Sequence, residues 1–222
     1  ALSCVQALVC NMGAIALTDS MIVGGKEANR RKIPVVLDPV AVGGTQLRRD
    51  AAKRLLEEVH FTAIRGNASE IRYLAGQQTT GAGVDVSDLD AITEENLPEA
   101  QEMIKNLAKS LGTVIAVSGV IDLVSDGERT MVLRNGCATM SRITGSGCML
   151  TSMIGAFVGA AAEDPFTATC AAMAAMGIAG EIAEKKRIKN GTGNATFRTD
   201  LIDAVFNLTE EELTKGARYE IF

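Results

Sequence analysis

The sequence predicts an α/β protein in which helices cover both faces of a mainly parallel sheet. Short apolar segments alternate with helical segments along nearly the whole chain, and this alternation is typical of a parallel sheet. Several apolar segments are continuous, as expected of strands buried on both faces. With 222 residues and 47% hydrophobic composition, the chain can bury one large core. We expect a single domain over residues 1–222, without internal repeats or linkers.

The individual elements follow in chain order from apolar periodicity and from turn residues. Predicted strands cover residues 4–13, 33–39, 61–67 and 113–119, and a hairpin over 122–133 turns at Asp126 and Gly127. Predicted helices cover residues 18–31, 48–59, 68–75, 98–111, 148–161, 165–186 and 209–216. Residues 77–97 are rich in Gly, Asp and Thr and predict a loop with partial helix.

Charge and composition argue against nucleic acid and membrane partners. The formal net charge is −5, the basic residues are scattered, and the chain has six Phe, two Tyr and no Trp for base stacking. The longest apolar stretch, residues 149–162, is interrupted by Thr151 and Ser152 and is too short to span a bilayer. No secretory signal opens the sequence, so we expect a cytoplasmic protein.

Cysteine and histidine usage narrows the possible chemistry further. The five cysteines are odd in number and contain no C-x-x-C pair, which argues against a disulfide frame or a cysteine zinc site. Buried free thiols are expected instead. His60 is the only histidine and is expected at a strand edge or on the surface, so histidine-based triads and two-histidine metal sites are nearly excluded.

A glycine-rich loop precedes the apolar helix in the second half of the chain. Residues 144–148 read Thr-Gly-Ser-Gly-Cys, and such glycines let backbone N–H groups converge on an anion at a helix N-terminus. The loop is therefore a candidate cradle for a phosphate or an oxyanion, although a turn that only packs the helix is at least as common. It lacks the Gly-Lys-Ser/Thr ending of a Walker A loop, and Leu150 occupies the third glycine position of G-x-G-x-x-G.

Cys148 follows this loop and falls in the first turn of the helix. The helix dipole stabilises negative charge there, so the thiol could serve as a base or a nucleophile. A buried structural cysteine is the alternative, and no histidine is available to activate the sulfur.

Four polar residues are expected along one edge of the predicted sheet. Asp38 and Glu70 follow neighbouring strands, where open α/β sheets bind their ligands, and together they could hold hydrated Mg²⁺ beside a phosphate chain. Arg65 could bind phosphate oxygens and Asn67 could orient a metal-bound water. Each of these side chains alone is more easily explained as a cap or a solvated group. As a set, they favour a site for phosphoryl transfer.

The combination of segments resembles a known family. Residues 67–70 carry the N-x-x-E pattern typical of ribokinase-like kinases of small molecules. The segments 35–40 (VVLDPV), 117–119 (VSG) and 144–150 (TGSGCML) accompany it in the same order. Together they look like the hydroxyethylthiazole kinase family of thiamine salvage, and Cys148 stands where most of the superfamily has Asp.

The resemblance implies a ribokinase-like fold and phosphorylation of the primary alcohol of 4-methyl-5-(2-hydroxyethyl)thiazole by ATP with Mg²⁺. It places Arg65 and Ser118 on ATP, and Asp38 and Glu70 on Mg²⁺ together with Asn67. It implies that Gly145 touches the thiazole and that Cys148 faces the hydroxyl. The amides of residues 145–148, including those of Ser146 and Gly147, would hold the transferred phosphoryl group. The resemblance also implies a homotrimer with active sites between subunits.

Two departures from the family pattern keep alternatives open. The chain is expected to lack the N-terminal part of the domain, including a stretch that helps to bind the thiazole, and Ala41 lies where the family usually has Gly. One alternative is another ribokinase-like activity, such as a hydroxymethylpyrimidine or pyridoxal kinase or an ATP-dependent dehydratase of hydrated nicotinamide nucleotides. The other is a non-catalytic trimeric binding protein, against which the retained Asp38, Arg65, Asn67 and Glu70 argue.

Overall fold

A computed structural model describes residues 2–77 and 91–222 of the chain. Within these ranges one mixed sheet of seven strands is present, and its strands lie in chain order from one edge to the other. The strands are β1 (Leu8–Asn11), β2 (Val35–Asp38), β3 (Ala63–Asn67), β4 (Val114–Ser118), β5 (Asp122–Ser125), β6 (Thr130–Leu133) and β7 (Tyr219–Ile221). Strands β1 to β4 pair in parallel, and the three later strands add antiparallel pairs.

The helices form two layers, one on each face of the sheet. They are α1 (Thr18–Arg30), α2 (Gln46–Glu58), α3 (Ala68–Leu74), α4 (Leu97–Leu111), α5 (Ser146–Ala160), α6 (Pro165–Asn190), α7 (Asn194–Asn207) and α8 (Glu210–Gly216). Short 3₁₀ helices cover Leu2–Cys4, Met12–Leu17 and Ala138–Arg142. Helices α1 to α4 connect the parallel strands and enclose one hydrophobic core, whereas α5, α6 and α7 enclose the other.

The strands divide their apolar side chains between the two cores. On β4, Ile115 and Val117 enter the core beneath α1 to α4, and Val114 and Ala116 enter the core beneath α5 to α7. All four residues are at most 5% exposed. Successive side chains on a strand point to opposite faces, so a strand covered by helices on both sides must be apolar at every position. The continuous apolar segments in the sequence have this origin.

The predicted strands, the hairpin and the α/β class are confirmed, while the limits of some elements differ. The first strand is shorter than residues 4–13 and lies between two 3₁₀ helices. Helix α6 continues to Asn190 and ends where Gly191 adopts a left-handed φ of +63°. Helix α7 was not predicted, because it buries only Phe197, Leu201 and Ala204. Strand β7 was also missed, since all three of its residues are exposed. Most of the predicted loop over residues 77–97 lies outside the described residues.

Helix α6 combines great length with an apolar composition. It is the one helix in the described parts of the chain that is long and apolar enough to cross a membrane. However, 78% of its most apolar window is buried inside the protein, which is the pattern of a helix in a globular core.

The cysteines behave only partly as expected. All five are free, and Cys10 and Cys170 are buried, where burial raises the pKa of their thiols to about 11 and about 12. The prediction of buried thiols is wrong for Cys4 and Cys148, which are exposed. The single histidine, His60, is on the surface as expected.

Candidate active site

The carboxyl ends of the four parallel strands place a row of polar residues along one edge of the sheet. Asn11, Asp38, Asn67 and Ser118 are the last residues of β1, β2, β3 and β4. Asn11 pairs in register with Asp38, and Asn67 pairs in register with Ser118. Ligands of open α/β sheets bind at this edge, so the fold assembles a candidate site from residues far apart in sequence.

Asp38 is the buried acid of this row, with 1% of its surface exposed. Its Oδ2 accepts hydrogen bonds from Thr151 Oγ1 at 2.8 Å and from Asn11 Nδ2 at 3.2 Å. Nη1 of Arg65 lies 3.8 Å from the same oxygen. Burial raises the pKa of Asp38, and the charge of Arg65 and the hydrogen bond from Thr151 lower it in part. The carboxylate is thus held in one orientation through Oδ2.

Arg65 connects the middle of the edge with the start of α5. Its Nη2 donates a hydrogen bond to Ser118 Oγ, and within the described ranges its buried Nε has no hydrogen-bond partner. A Cβ added to Gly147, in the first turn of α5, would lie 2.6 Å from Nη1. The guanidinium therefore lies directly against the backbone of α5, and its Nη groups retain N–H donors besides the one bonded to Ser118.

Glu70 caps the start of α3, a role considered for it from the sequence, and it also binds a second loop that the sequence did not reveal. Its Oε2 accepts the N–H of Asn67 while Asn67 Oδ1 accepts the N–H of Glu70, and this capping box starts α3. Its Oε1 accepts the N–H of Ala41 at 2.8 Å. Burial raises the pKa of Glu70, while these backbone N–H groups and the charge of Arg65 lower it. Glu70 thus ties the loop after β2 to the loop after β3.

The N-terminus of α5 forms the remaining side of the site. Gly145 is the N-cap residue, with a left-handed φ of +95°, and no side chain caps the first turn. The N–H groups of the first turn of a helix have no partner within it, so an uncapped N-terminus can bind an anion. Cys148 lies in this turn with an exposed thiol, and its Sγ is 3.3 Å from Asn11 Nδ2.

A divalent cation is compatible with the donors at this edge. No cluster of three or more His, Cys, Asp or Glu side chains occurs in the described residues, so a cage of protein ligands is absent there. Mg²⁺ usually keeps several waters and needs only one or two carboxylates beside phosphate oxygens. Asp38 and Glu70 supply such oxygens, and Asp38 Oδ1 accepts no hydrogen bond from any described residue. Burial penalises the charge of both acids, and a cation would offset this penalty.

A third buried acid, Asp122, lies beside the end of β4. Asp122 begins β5, and its Oδ1 accepts the N–H of Gly119 at 2.8 Å. Burial raises the pKa of Asp122 to about 7, although the bond from Gly119 and the charge of Arg65 lower it. The carboxyl group therefore fixes the turn that follows Ser118.

The structure brings the residues singled out in the sequence to one place and adds three others. Around this edge lie the predicted residues Asp38, Arg65, Asn67, Glu70, Ser118, Gly145, Ser146, Gly147 and Cys148. Sequence reasoning missed Asn11, Thr151 and Asp122. Asn11 had a detectable signal, because it ends an apolar strand as Asp38 does. Thr151 had none, since it resembled an interruption of an apolar helix.

Comparisons with known proteins identify the family and the fold of this chain. The sequence model of the hydroxyethylthiazole kinase family matches residues 2–211. A hydroxyethylthiazole kinase of Clostridium acetobutylicum is 45% identical over 204 residues, which are 92% of this chain and 74% of that protein. One from Clostridium beijerinckii is 46% identical over 212 residues, covering 95% and 75%.

Solved structures show the same fold. The hydroxyethylthiazole kinase structure from Pyrococcus horikoshii OT3 matches with a TM-score of 0.81 and 30% identity, over 98% of this chain and 77% of that one. A pyridoxal kinase from Staphylococcus aureus in complex with ADP matches with a TM-score of 0.53 and 16% identity, over 78% and 62%. The second likeness concerns the fold alone.

Proposed function

This chain belongs to the hydroxyethylthiazole kinase family, and we propose that the edge formed by β1 to β4 and α5 transfers a phosphoryl group from ATP to the alcohol of hydroxyethylthiazole. Family membership makes the chain a phosphotransferase with ATP as co-substrate. One observation supports the assignment of the site most strongly. The uncapped N-terminus of α5, the guanidinium of Arg65 and the thiol of Cys148 all lie at the carboxyl ends of the parallel strands.

The phosphate chain of ATP would lie between Arg65 and the start of α5. Arg65 is buried, positively charged and held by Ser118, so it offers a fixed cation. The backbone amides of residues 145–148 would donate hydrogen bonds to the phosphoryl group during its transfer. Because these amides are already in place, they need not move as negative charge develops on that group. Gly145 would contact the thiazole.

Cys148 would act as a weak base toward the substrate hydroxyl. The hydroxyl oxygen attacks the γ-phosphorus, the bond from that phosphorus to the β–γ bridging oxygen breaks and ADP leaves. The hydroxyl proton passes to the thiolate form of Cys148, which becomes a thiol. Such transfers have a loose transition state in which positioning and charge neutralisation dominate, so a base contributes about 10²-fold to 10⁴-fold or less. No covalent intermediate on the sulfur is needed.

Mg²⁺ would be held through water by Asp38 and Glu70, with Asn67 orienting one of these waters. When bound, the cation neutralises charge on the phosphate oxygens. Asp38 has an unoccupied Oδ1 for this purpose, fixed by the hydrogen bonds at Oδ2. Glu70 would bind a magnesium-bound water while its two oxygens continue to accept hydrogen bonds from the loops after β2 and β3.

The experiment is a coupled ADP-release assay with Mg²⁺, ATP and hydroxyethylthiazole, together with mass detection of the phosphorylated product. Pyridoxal and hydroxymethylpyrimidine serve as comparison substrates. We expect Cys148→Ala to lower kcat without changing the KM for ATP, and Cys148→Asp to retain activity because a carboxylate can accept the same proton. A fully active Cys148→Ala enzyme would remove the base from the mechanism, and a trapped phosphocysteine would make Cys148 a nucleophile.

A homotrimer with sites between subunits is part of the proposal, as is a cytoplasmic location. Leu17, at the end of the 3₁₀ helix after β1, is 54% exposed, and Leu47, at the start of α2, is 65% exposed. Both residues lie in segments that come after the carboxyl ends of β1 and β2, where the proposed site is located. A neighbouring subunit would bury both side chains. Closed cyclic symmetry would supply that neighbour to every site. Sedimentation equilibrium should give about three chain masses, and a monomer would contradict inter-subunit sites.

A further inference from the structure

The side chain of Asn11 lies between two groups to which the proposed function gives separate tasks. Its Nδ2 is 3.2 Å from Asp38 Oδ2 and 3.3 Å from Cys148 Sγ. A side-chain amide carries two N–H donors, so one nitrogen can donate to the carboxylate and to the sulfur at the same time. Asn11 therefore links the acid at the end of β2 to the thiol at the start of α5.

The surrounding backbone fixes which way this amide faces. Asn11 Oδ1 accepts the N–H of Gly13 at 2.7 Å and caps the 3₁₀ helix Met12–Leu17. The reversed amide would place its nitrogen against that N–H and its oxygen against two acceptors. Asn11 also pairs in register with Asp38 across β1 and β2, so its backbone is fixed by the sheet. The donor is therefore held toward the site.

We infer that Asn11 is a positioning residue that holds the thiol of Cys148 in a fixed place relative to the carboxylate of Asp38. It acts through these two groups and contacts neither ATP nor alcohol in the proposed reaction. The inference rests on the proposed role of Cys148. Reacting groups must approach within a narrow range of distance and angle, and an error of about 1 Å can reduce a rate about 10²-fold. The hydrogen bond from Asn11 restricts the positions that the exposed thiol of Cys148 can adopt.

The variant Asn11→Asp separates this role from the helix cap. Aspartate keeps the volume and the oxygen that accepts the N–H of Gly13, but it replaces the donor with a second oxygen. We expect kcat to fall roughly tenfold or more and the KM for ATP to stay within about twofold. Asn11→Ala removes the donor without adding charge and should also lower kcat.

A double-mutant cycle shows whether Asn11 acts through the thiol. In the Cys148→Ala background there is no sulfur to hold, so Asn11→Ala, which adds no charge beside Asp38, should lower kcat less than about threefold. The matched control is Asn29→Asp, because Asn29 binds the backbone of His60 at the opposite end of the sheet with one donor and one acceptor. This control should lose stability and keep its kcat.

Three results would overturn the inference. Equal losses of kcat from Asn11→Ala in both backgrounds would show a role independent of the thiol. An Asn11→Ala enzyme with parental kcat would show that the amide is not needed. A fully active Cys148→Ala enzyme would remove the proposed base as well, and it therefore identifies a failure of the proposed function. In the first two results that function stands and the role of Asn11 alone is rejected.

Discussion

Gly147 and Arg65 are in such close contact that the position leaves no room for a side chain. A Cβ on Gly147 would lie 2.6 Å from Nη1 and 3.1 Å from Nη2 of the arginine. Arg65 is held from its other side by Ser118, and its Nη1 is 3.8 Å from Asp38. The glycine therefore determines how close the start of α5 comes to the cation of the site.

Replacing this glycine should weaken nucleotide binding. In Gly147→Ala the methyl group displaces the guanidinium from Ser118 and from the phosphate position, and losing a charge-assisted contact of about 1.5 to 3 kcal/mol corresponds to a KM for ATP about tenfold or more higher. Steady-state kinetics measures the change. Gly193→Ala is the control, because a Cβ there meets no atom within 4 Å and its φ is −101°. Similar ATP affinities for both variants would disprove the contact's importance.

Removing one carboxylate oxygen from Glu70 should affect folding as well as magnesium use. Glu70→Gln leaves one of the N–H groups of Ala41 and Asn67 without an acceptor, at a cost of about 1 to 3 kcal/mol in the free energy of unfolding. The Mg²⁺ concentration for half-maximal activity should also rise. Urea denaturation measures the first effect and a Mg²⁺ titration of the activity measures the second.

The control for Glu70→Gln is Glu58→Gln, which weakens surface ion pairs with Lys26 and Arg54. That change should alter the free energy of unfolding by less than about 1 kcal/mol. If the Mg²⁺ titrations of Glu70→Gln and the parent coincide, Glu70 is not a magnesium residue and serves only the loops.

Asp122 should make the protein less stable as the pH rises through weakly acidic values. The pKa of Asp122 is about 7 in the folded protein and 3.8 as its ordinary value. Between these two pH values the Asp122 carboxyl is ionised in the unfolded chain and protonated in the folded one. The free energy of unfolding therefore decreases over this window, by about 1.4 kcal/mol for each unit of pKa difference, and the loss is complete above pH 7.

Asp122→Asn tests this pH dependence directly. Asparagine keeps an oxygen for the N–H of Gly119 and cannot ionise, so the variant should show a flatter stability profile between about pH 4 and pH 7. Denaturation at several pH values measures the two profiles. Parallel curves for the variant and the parent would mean that Asp122 ionises equally in both states.

Ala41 adopts a left-handed backbone that favours glycine. Its φ is +54°, a conformation that costs a residue with a Cβ roughly 1 to 2 kcal/mol. Glycine loses about 0.5 to 1 kcal/mol more chain entropy on folding, so Ala41→Gly should leave stability equal or raise it by up to about 1 kcal/mol. Ala51→Gly in α2 should instead lower it by about 1 kcal/mol or more. Thermal denaturation distinguishes these outcomes, and equal losses in both variants would contradict strain at Ala41.

The sequence predicted the part of the site that local patterns encode. Asp38, Asn67 and Ser118 end apolar strands, and the end of a parallel strand has a known place in the sheet. The role of Asn11 depends on a contact with Cys148 across 137 positions, which no local pattern contains. Thr151 is similar, because its bond to Asp38 spans 113 positions. Burial of both oxygens of Glu70 could not be predicted either, since it depends on the loop around Ala41.

The long sequence distance between the two halves of the site affects how the enzyme is made. Asp38 leaves the ribosome 113 residues before Thr151, and synthesis of these residues takes about 6 to 23 s at ordinary rates. During that interval the nascent chain has the strand ends but neither the hydroxyl that orients the acid nor the helix that faces Arg65. A growing chain therefore lacks these two sides of the proposed site. The proposed site is complete only after α5 has docked on the sheet.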